Sequence, residues 1–386
     1  MNELKITVKR ISGTTAEDFA QEIKGYINSV PDSKRIILDF SDVEYISSAG
    51  LRVLMSITKN EGKKITILNV SSDVKEIFSV TGMDTILSVH APFKEISIKG
   101  CKELGHGWYG TVYRLDEDKI VKIYNDNPVN SLENIEMERE VTRKIYLSGL
   151  PCAATYDLVK TDEGKTGAVY EFLNGKTIHE MMEENPDMIE EYAFNMAKLL
   201  RKVHSVTFKA GEIQSCRDYL ERLMESAKKE IPPSEKKLFI EFADKISEYH
   251  NLLHGDYNRG NVMLCDGEYV LIDIGGAFLG HPLIELGSRY PFALFNPEFA
   301  TSSESAKNPD VRYYRSFLNS YFEGTSEERL SQIEEMIKAT SAFLFVFNYY
   351  IIDMEIPGGE ALYTALKTYF LSVYDKLFSK DEWWSL

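Results

Sequence analysis

The run Leu253-His254-Gly255-Asp256-Tyr257-Asn258-Arg259-Gly260-Asn261, followed by Leu271-Ile272-Asp273-Ile274-Gly275, constrains this chain more than any other stretch. It reads H-x-D-x-x-x-x-N and then, after an apolar strand, D-x-G. The pattern brings an Asp, an Asn and a second Asp close to one point. One carboxylate that orients a hydroxyl and accepts its proton, beside two oxygen ligands for magnesium, is the set that phosphoryl transfer needs. Asp256 is therefore the candidate catalytic base, and Asn261 and Asp273 are the candidate Mg2+ ligands. His254 is expected to support the loop by hydrogen bonding, and Arg259 either to screen phosphate charge or, as the preferred reading, to face solvent.

Upstream, Gly105-His106-Gly107-Trp108-Tyr109-Gly110-Thr111-Val112 spells G-x-G-x-x-G-x-V between two strand-like segments. Because no helix follows it directly, a dinucleotide-binding turn is excluded. A glycine hairpin over ATP phosphates fits instead, with Gly105, Gly107 and Gly110 letting the backbone approach closely. Lys122 sits inside the apolar strand Lys119–Tyr124, where a lysine needs a partner. The α- and β-phosphates and a helix Glu would supply one. The helix expected over Asn134–Leu147 offers Glu136, Glu138 and Glu140.

Together these motifs resemble the aminoglycoside phosphotransferase and choline kinase branch of the protein-kinase-like fold. The resemblance implies a bilobal α+β domain over 96–386, with an N-lobe to about 175 and a helical C-lobe beyond. It implies ATP and Mg2+ as cofactors. Counting back from Gly149-Leu150-Pro151, which resembles the family's helix-end turn, selects Glu140 as the partner of Lys122, with Glu138 as the alternative. Ala168–Gly175 resembles the hinge that contacts adenine, which puts Glu171 and Leu173 among the nucleotide-binding residues. His281-Pro282-Leu283-Ile284-Glu285-Leu286 follows Asp273 closely and resembles the family's G-x-P-x-x-D-L, so no peptide-docking segment intervenes. A small-molecule hydroxyl is the expected acceptor. The region from about 290 to 386 reads as helices rich in Tyr and Phe that would shape the acceptor pocket. The stripe Tyr192, Met196, Leu199, Leu200, Val203 marks another helix, with His204 as a structural histidine near its end.

Residues 1–92 alternate strands and helices, as in an α/β domain with a mostly parallel or mixed sheet and covering helices. Leu4–Ile11 reads as a strand, and Thr14-x-x-Glu17 as a capping box for a helix bearing Phe19, Ile23, Tyr26, Ile27 and Val30. Arg35–Phe40 reads as a buried strand. A helix opening at Ser47-Ser48, the strand Lys64–Val70, the helix Ser71–Val80 and a last strand within Thr85–Val89 complete it. Asp39-Phe40-Ser41-Asp42-Val43-Glu44-Tyr45-Ile46-Ser47-Ser48-Ala49-Gly50-Leu51-Arg52 and Val80-Thr81-Gly82-Met83 resemble the STAS family, the anti-sigma-factor antagonists. That resemblance implies a phosphoserine at Ser48, where a helix N-terminus accommodates phosphate. It also implies an anti-sigma-factor-like or other STAS-binding partner. Serines capping a helix explain the same residues. Measured against the family, the chain starts late and a first edge strand is expected to be missing.

The formal charge of −16 argues against nucleic-acid binding and would suit a cationic substrate. Cys101, Cys152, Cys216 and Cys265 form no C-x-x-C pair, so neither zinc nor a disulfide framework is expected. No signal-peptide pattern opens the chain, and the apolar run Ala342–Ile352 is too short to cross a bilayer, so a cytoplasmic protein is expected. Three functions follow. The first is an ATP- and Mg2+-dependent phosphotransferase acting on a small-molecule hydroxyl, with a regulatory STAS domain. The second is a kinase that phosphorylates Ser48 in a partner-switching system. The third is a scaffold whose ATP site only senses.

Overall fold

The computed structural model describes residues 3–31, 35–107, 109–126, 130–352 and 359–378. Trp108 of the glycine loop and residues 353–358 and 379–386 of the tyrosine-rich region lie outside them. The chain divides into two compact units, residues 1–113, 121–125 and 157–169, and residues 114–120, 126–156 and 170–386.

The first unit opens with β1 (Leu4–Lys5), β2 (Arg10–Ile11), α1 (Ala16–Ser29), β3 (Arg35–Asp39), β4 (Tyr45–Ile46), α2 (Ser48–Asn60), β5 (Lys64–Leu68), α3 (Ser72–Val80) and β6 (Ser88–Val89). The order β1-β3-β5-β6 is parallel at each junction, and β2 pairs in parallel with β4. Of the two sheet types expected, the described pairs take the parallel one. Such a sheet needs apolar cover, and Phe19, Ile23 and Ile27 of α1 with Leu51, Leu54 and Ile57 of α2 supply it. The single strand expected over Leu4–Ile11 is instead two short ones, each serving a different sheet. The expected Thr14/Glu17 capping box also fails. Thr15 is the N-cap, and its hydroxyl donates to the Arg10 carbonyl (2.7 Å) and accepts from Ser12 N (2.9 Å), so it is not spent on the helix.

Next come β7 (Lys94–Ile96), β8 (Glu103–His106), β9 (Gly110–Arg114), β10 (Lys119–Tyr124), α4 (Leu132–Leu147), β11 (Thr155–Thr161) and β12 (Thr166–Glu171). Their strands form a sheet in the order β7-β11-β12-β10-β9-β8. The strand that follows the STAS-like fold is thus built into this sheet, with Val159 opposite Lys94 in parallel register.

The second unit holds β13 (Lys176–Thr177), α5 (Ile178–Glu184), α6 (Ile189–His204), α7 (Cys216–Glu225), α8 (Pro233–Ser247), β14 (Asn251–Leu253), β15 (Val262–Cys265), β16 (Glu268–Leu271), β17 (Phe278–Gly280), α9 (Leu283–Gly287), α10 (Pro297–Ala300), α11 (Pro309–Tyr321), α12 (Glu327–Ile351) and α13 (Gly359–Phe378). The predicted stripe of α6 is wholly buried, and the run Ala342–Ile351 lies in α12 with Phe343, Val346 and Phe347 in the core. Among the described residues no helix is long and apolar enough to cross a membrane. All four cysteines are free thiols.

Candidate active site

Two short pairings position the loop of interest. β14 runs antiparallel to β17, with Leu253 opposite Phe278, and β15 runs antiparallel to β16, with Val262 opposite Leu271. The segment 254–261 therefore leaves one pair and enters the other, and Asp273 follows β16 directly. Apolar side chains anchor each end, since Leu252, Leu253, Val262 and Leu271 are fully buried. Asp256 and Asp273 are exposed.

Between these anchors the loop is held by its own polar groups. Asn261 Nδ2 donates to both the main-chain carbonyl and Oδ2 of Asp256, each at 2.9 Å. Asn258 Nδ2 donates to Asp256 Oδ1 at 3.0 Å, so both carboxylate oxygens are oriented. His254 is 1% exposed and links the two halves of the motif. Its Nδ1 accepts from Asp256 N (3.3 Å), which leaves the proton on Nε2 to donate to the Ile272 carbonyl (3.2 Å), next to Asp273. The expected supporting role of His254 is thus a specific one. Asp273 adopts φ +54°, a left-handed conformation rare for a residue with a side chain. Such strain is found where the fold needs a side chain aimed in one direction.

Beneath the loop lies a residue that the sequence reading did not single out. Glu285, buried in α9, accepts from Gly255 N (2.8 Å, Oε1) and from His254 N (2.9 Å, Oε2). His204 Nε2 donates to the same carboxylate (3.1 Å), and its Nδ1 accepts from the Tyr321 hydroxyl (2.7 Å). Burial pushes the Glu285 carboxyl up, but the hydrogen bonds from His204 and the His254 main chain, with the electrostatics of the two imidazoles, outweigh it and hold the group below its usual range. The available signal was a lone acid inside the apolar run Leu283–Leu286, since a buried carboxylate has to be bonded. Arg259, expected in solvent, instead pairs with Asp310 (3.1 Å) and lies over the Tyr313 ring at 5.3 Å.

The helix carboxylates separate clearly. Glu140 is turned to the surface and pairs with Lys144 one turn on (3.5 Å), so the choice of Glu140 is corrected on helical phase. Glu136 is buried, and Glu138 is half-buried on the side of the Asp273 turn. Glu138 accepts from the Tyr170 hydroxyl (3.3 Å), and a methyl group built on Gly275 would collide with its side chain. Gly275 is therefore the residue that lets the Asp273 turn come so close to α4.

In the first unit, β8 and β9 form the antiparallel hairpin of the glycine loop, closed by Gly107 N donating to the Gly110 carbonyl at 2.9 Å. A Cβ on Gly110 would collide with the Ile123 carbonyl of β10, so this glycine is required for packing beside the Lys122 strand. Gly105 is in β8, opposite Val112. Lys122 lies within cation–π reach of Tyr109 (5.9 Å) and Tyr124 (5.3 Å). In the second unit the Glu171 side chain folds back to accept from Ala154 N (3.1 Å), and Phe172 N donates to the Asp118 carbonyl (2.8 Å). The Glu171 main-chain N–H also donates to the Ala154 carbonyl (2.9 Å), and half-buried Leu173 follows two residues on.

At the STAS-like signature, Asp39 is buried and accepts from Ser41 N, Ser41 Oγ and Asn69 Nδ2, which fixes the start of the loop. The two serines divide the work. Ser47 caps α2, accepting from Ala49 N at 3.3 Å, while Ser48 occupies the first helical position and is exposed.

Residues 100–315, more than half of the chain, match the model of the phosphotransferase enzyme family. The chain belongs to that family. Residues 7–88 match a second model, described as the Mlab, STAS domain. The putative anti-sigma factor antagonist BtrV of Bordetella bronchiseptica is 27% identical over 82 residues, which cover 20% of this chain and 69% of the relative. Among solved structures, a thermostable mutant of aminoglycoside phosphotransferase APH(4)-Ia matches with a TM-score of 0.45 and 13% identity, over 73% of this chain and 98% of that one. A choline/ethanolamine kinase family protein from Mesorhizobium loti matches with a TM-score of 0.42 and 13% identity, over 73% and 89%. The protein is thus a member of the phosphotransferase enzyme family, with an α/β region that matches the STAS domain model at residues 7–88 ahead of it.

Proposed function

We propose that this family member transfers the γ-phosphoryl group of ATP to the hydroxyl of a small molecule. The observation that carries the reading is the loop itself. Asp256 is exposed, yet both its oxygens are oriented by Asn258 and Asn261, as a base that must meet a hydroxyl in one geometry requires. In the reaction a lone pair of the acceptor oxygen forms a bond to the γ-phosphorus. The bond from that phosphorus to the β–γ bridging oxygen breaks, its electron pair leaves with ADP, and the acceptor proton passes to Asp256.

The donors present suit magnesium. Asn261 commits its Nδ2 to Asp256, so its Oδ1 is the ligand atom, and Asp273 adds a carboxylate. An all-oxygen pair of this kind matches an ion that keeps several waters and completes its shell with phosphate oxygens. Bound there, Mg2+ would neutralise charge on the phosphates. Gly105, Gly107 and Gly110 cover the phosphates, Lys122 holds the α- and β-phosphates, and the main chain at Glu171 and Leu173 contacts the base. Glu138, not Glu140, is the helix carboxylate of this set. The functional domains in this reading are residues 1–92 and 96–386, in a cytoplasmic protein whose STAS domain is regulatory and binds an anti-sigma-factor-like partner.

Ser48 supports a second reading. With Ser47 doing the capping, Ser48 is free to be modified at a helix N-terminus, and the kinase would phosphorylate it in cis or on another copy. Intact-protein mass spectrometry after incubation with Mg-ATP, wild type beside Asp256→Asn, separates the two. One added phosphoryl group at Ser48 in wild type alone identifies a self-switching protein, and no addition favours the small acceptor. In either case Asp256→Asn should lower transfer by roughly 10²- to 10⁴-fold with nucleotide affinity little changed. Transfer at the wild-type rate in that variant would remove Asp256 from the role.

A further inference from the structure

The STAS-like region and the strands that carry the glycine loop and Lys122 belong to the same compact unit. Very little chain separates them. His90 is still tied to the STAS-like sheet, its N–H donating to the Ile67 carbonyl (2.8 Å) and its carbonyl accepting from Val70 N (2.9 Å). Lys94 already belongs to the next sheet, where β7 runs parallel to β11 with Lys94, Glu95 and Ile96 opposite Val159, Lys160 and Thr161. Only Ala91, Pro92 and Phe93 stand between. Domain boundaries usually fall in mobile linkers, but a segment this short, with one φ fixed by proline, has little room to swing.

Phe93 restricts it further. Its half-buried ring lies 5.9 Å from that of His90 and 5.9 Å from the Lys160 ammonium. Both neighbours are themselves held, His90 Nε2 by Ser88 Oγ at 3.0 Å and Lys160 Nζ by Thr166 Oγ1 at 2.8 Å. The ring is thus a wedge between a STAS-like residue and a residue of β11.

From β11 the packing runs on to the strand of Lys122. β12 lies between β11 and β10, and side chains from both neighbours cover its Gly167. A methyl group there would meet Val159 Cγ2 at 3.2 Å, Val121 Cγ2 at 2.9 Å and Ile123 Cδ1 at 2.7 Å. Val159 is the residue opposite Lys94, and Val121 and Ile123 flank Lys122. Side chains packed this closely transmit a displacement rather than absorb it.

We propose that Phe93 and β7 hold the STAS-like region rigidly on this sheet, so that nucleotide at the Lys122 strand and any ligand of the STAS-like region are coupled. Such coupling is reciprocal, each occupant changing the affinity for the other. The nucleotide half rests on the phosphotransferase reading, and the inference gives the regulatory domain of that reading its route to the site.

The test uses the full chain beside a variant with Gly-Ser-Gly-Ser inserted between Ala91 and Pro92, both of which are exposed. Backbone NMR relaxation comes first and needs no nucleotide. In wild type, β3 and β5 should tumble with the same correlation time as β10 and β11. In the insertion variant β3 and β5 should tumble faster, roughly 1.5- to twofold. Separate correlation times in wild type overturn the proposal. Mg-ATP is then added and amide hydrogen exchange is followed. Exchange at Ile65–Leu68 and Ser88–Val89 should slow on the order of two- to tenfold in wild type and stay unchanged in the insertion variant. An equal effect in both proteins, or none in wild type with nucleotide bound, also overturns it. Should the insertion prevent folding, Phe93→Ala takes its place with the same expectations, weaker in size. Failure of wild type to bind Mg-ATP counts against the phosphotransferase reading instead, and the relaxation data then decide the rigid attachment by themselves.

Discussion

Glu285 and Glu235 are both buried carboxylates in the second unit, and both stay below their usual pKa range despite burial. They differ in what holds them. Glu285 takes two main-chain N–H donors from the active-site loop, with His204 as its only described side-chain donor. Glu235, in α8, takes only side chains, the Tyr350 hydroxyl of α12 at 2.8 Å and the Tyr363 hydroxyl of α13 at 2.5 Å, together with Lys367. Side-chain donors rotate and re-aim when an acceptor is lost, whereas main-chain donors in an anchored loop do not. One carboxylate therefore fixes the shape of a loop, and the other staples three helices. Similar burial and similar charge serve different ends.

The largest effect should follow from Glu285→Gln. An amide offers one acceptor oxygen where two are needed, so its NH2 would face the N–H of His254 or Gly255. A buried donor left unmade costs about 1–3 kcal/mol. Because these residues lead directly into Asp256, a displacement near 1 Å should also lower kcat on the order of 10²-fold. Urea unfolding and ADP release on the same preparation check both. Turnover at the wild-type level would mean that Glu285 is a core residue and nothing more.

Glu235→Gln should be milder and purely structural. The amide oxygen still accepts from the two tyrosines, and Lys367, with 31% of its side chain exposed, swings to water. A loss of about 1–2 kcal/mol with unchanged turnover is expected. Both wild-type glutamates have depressed pKa values, burial opposing and their bonds prevailing. Their stabilising contribution is therefore complete above the unfolded carboxyl value of about 4.3 and is lost as pH falls through the lower folded value. The gap in stability between wild type and either variant should shrink on acidification below about pH 4. A gap that widens in acid would refute the assignment.

What the sequence disclosed and what it withheld divide along the same line. The spacing of His254, Asp256, Asn261 and Asp273 is local, because short β-pairs and buried leucines bring those positions together, and the STAS-like strands and helices follow from periodicity. Glu285 holds the two residues just before Asp256 from a helix that follows them in the chain, and no local pattern encodes those bonds. The capping box at Thr14 and Glu17 was a local pattern that lost to a longer-range bond, Thr15 to the Arg10 carbonyl. Helical phase was the remaining gap, because nothing local says which of the three acids on α4 turn inward.

That gap gives the smallest and most discriminating pair of variants. Glu140 makes a surface i, i+4 pair with Lys144, of the kind worth about 0.3–0.5 kcal/mol. Glu140→Ala should therefore change neither thermal midpoint nor turnover measurably. Glu138→Ala removes the acceptor of the Tyr170 hydroxyl and the side chain packed on Gly275, two residues from Asp273. Its stability should fall by about 1 kcal/mol, and its KM for ATP should rise, since the Asp273 turn and the helix carboxylate are disturbed together. The order of the two effects matters more than their size. If Glu140→Ala proves the more damaging, the inner face of α4 has been misread, and the assignment returns to the one that the helix-end turn suggested.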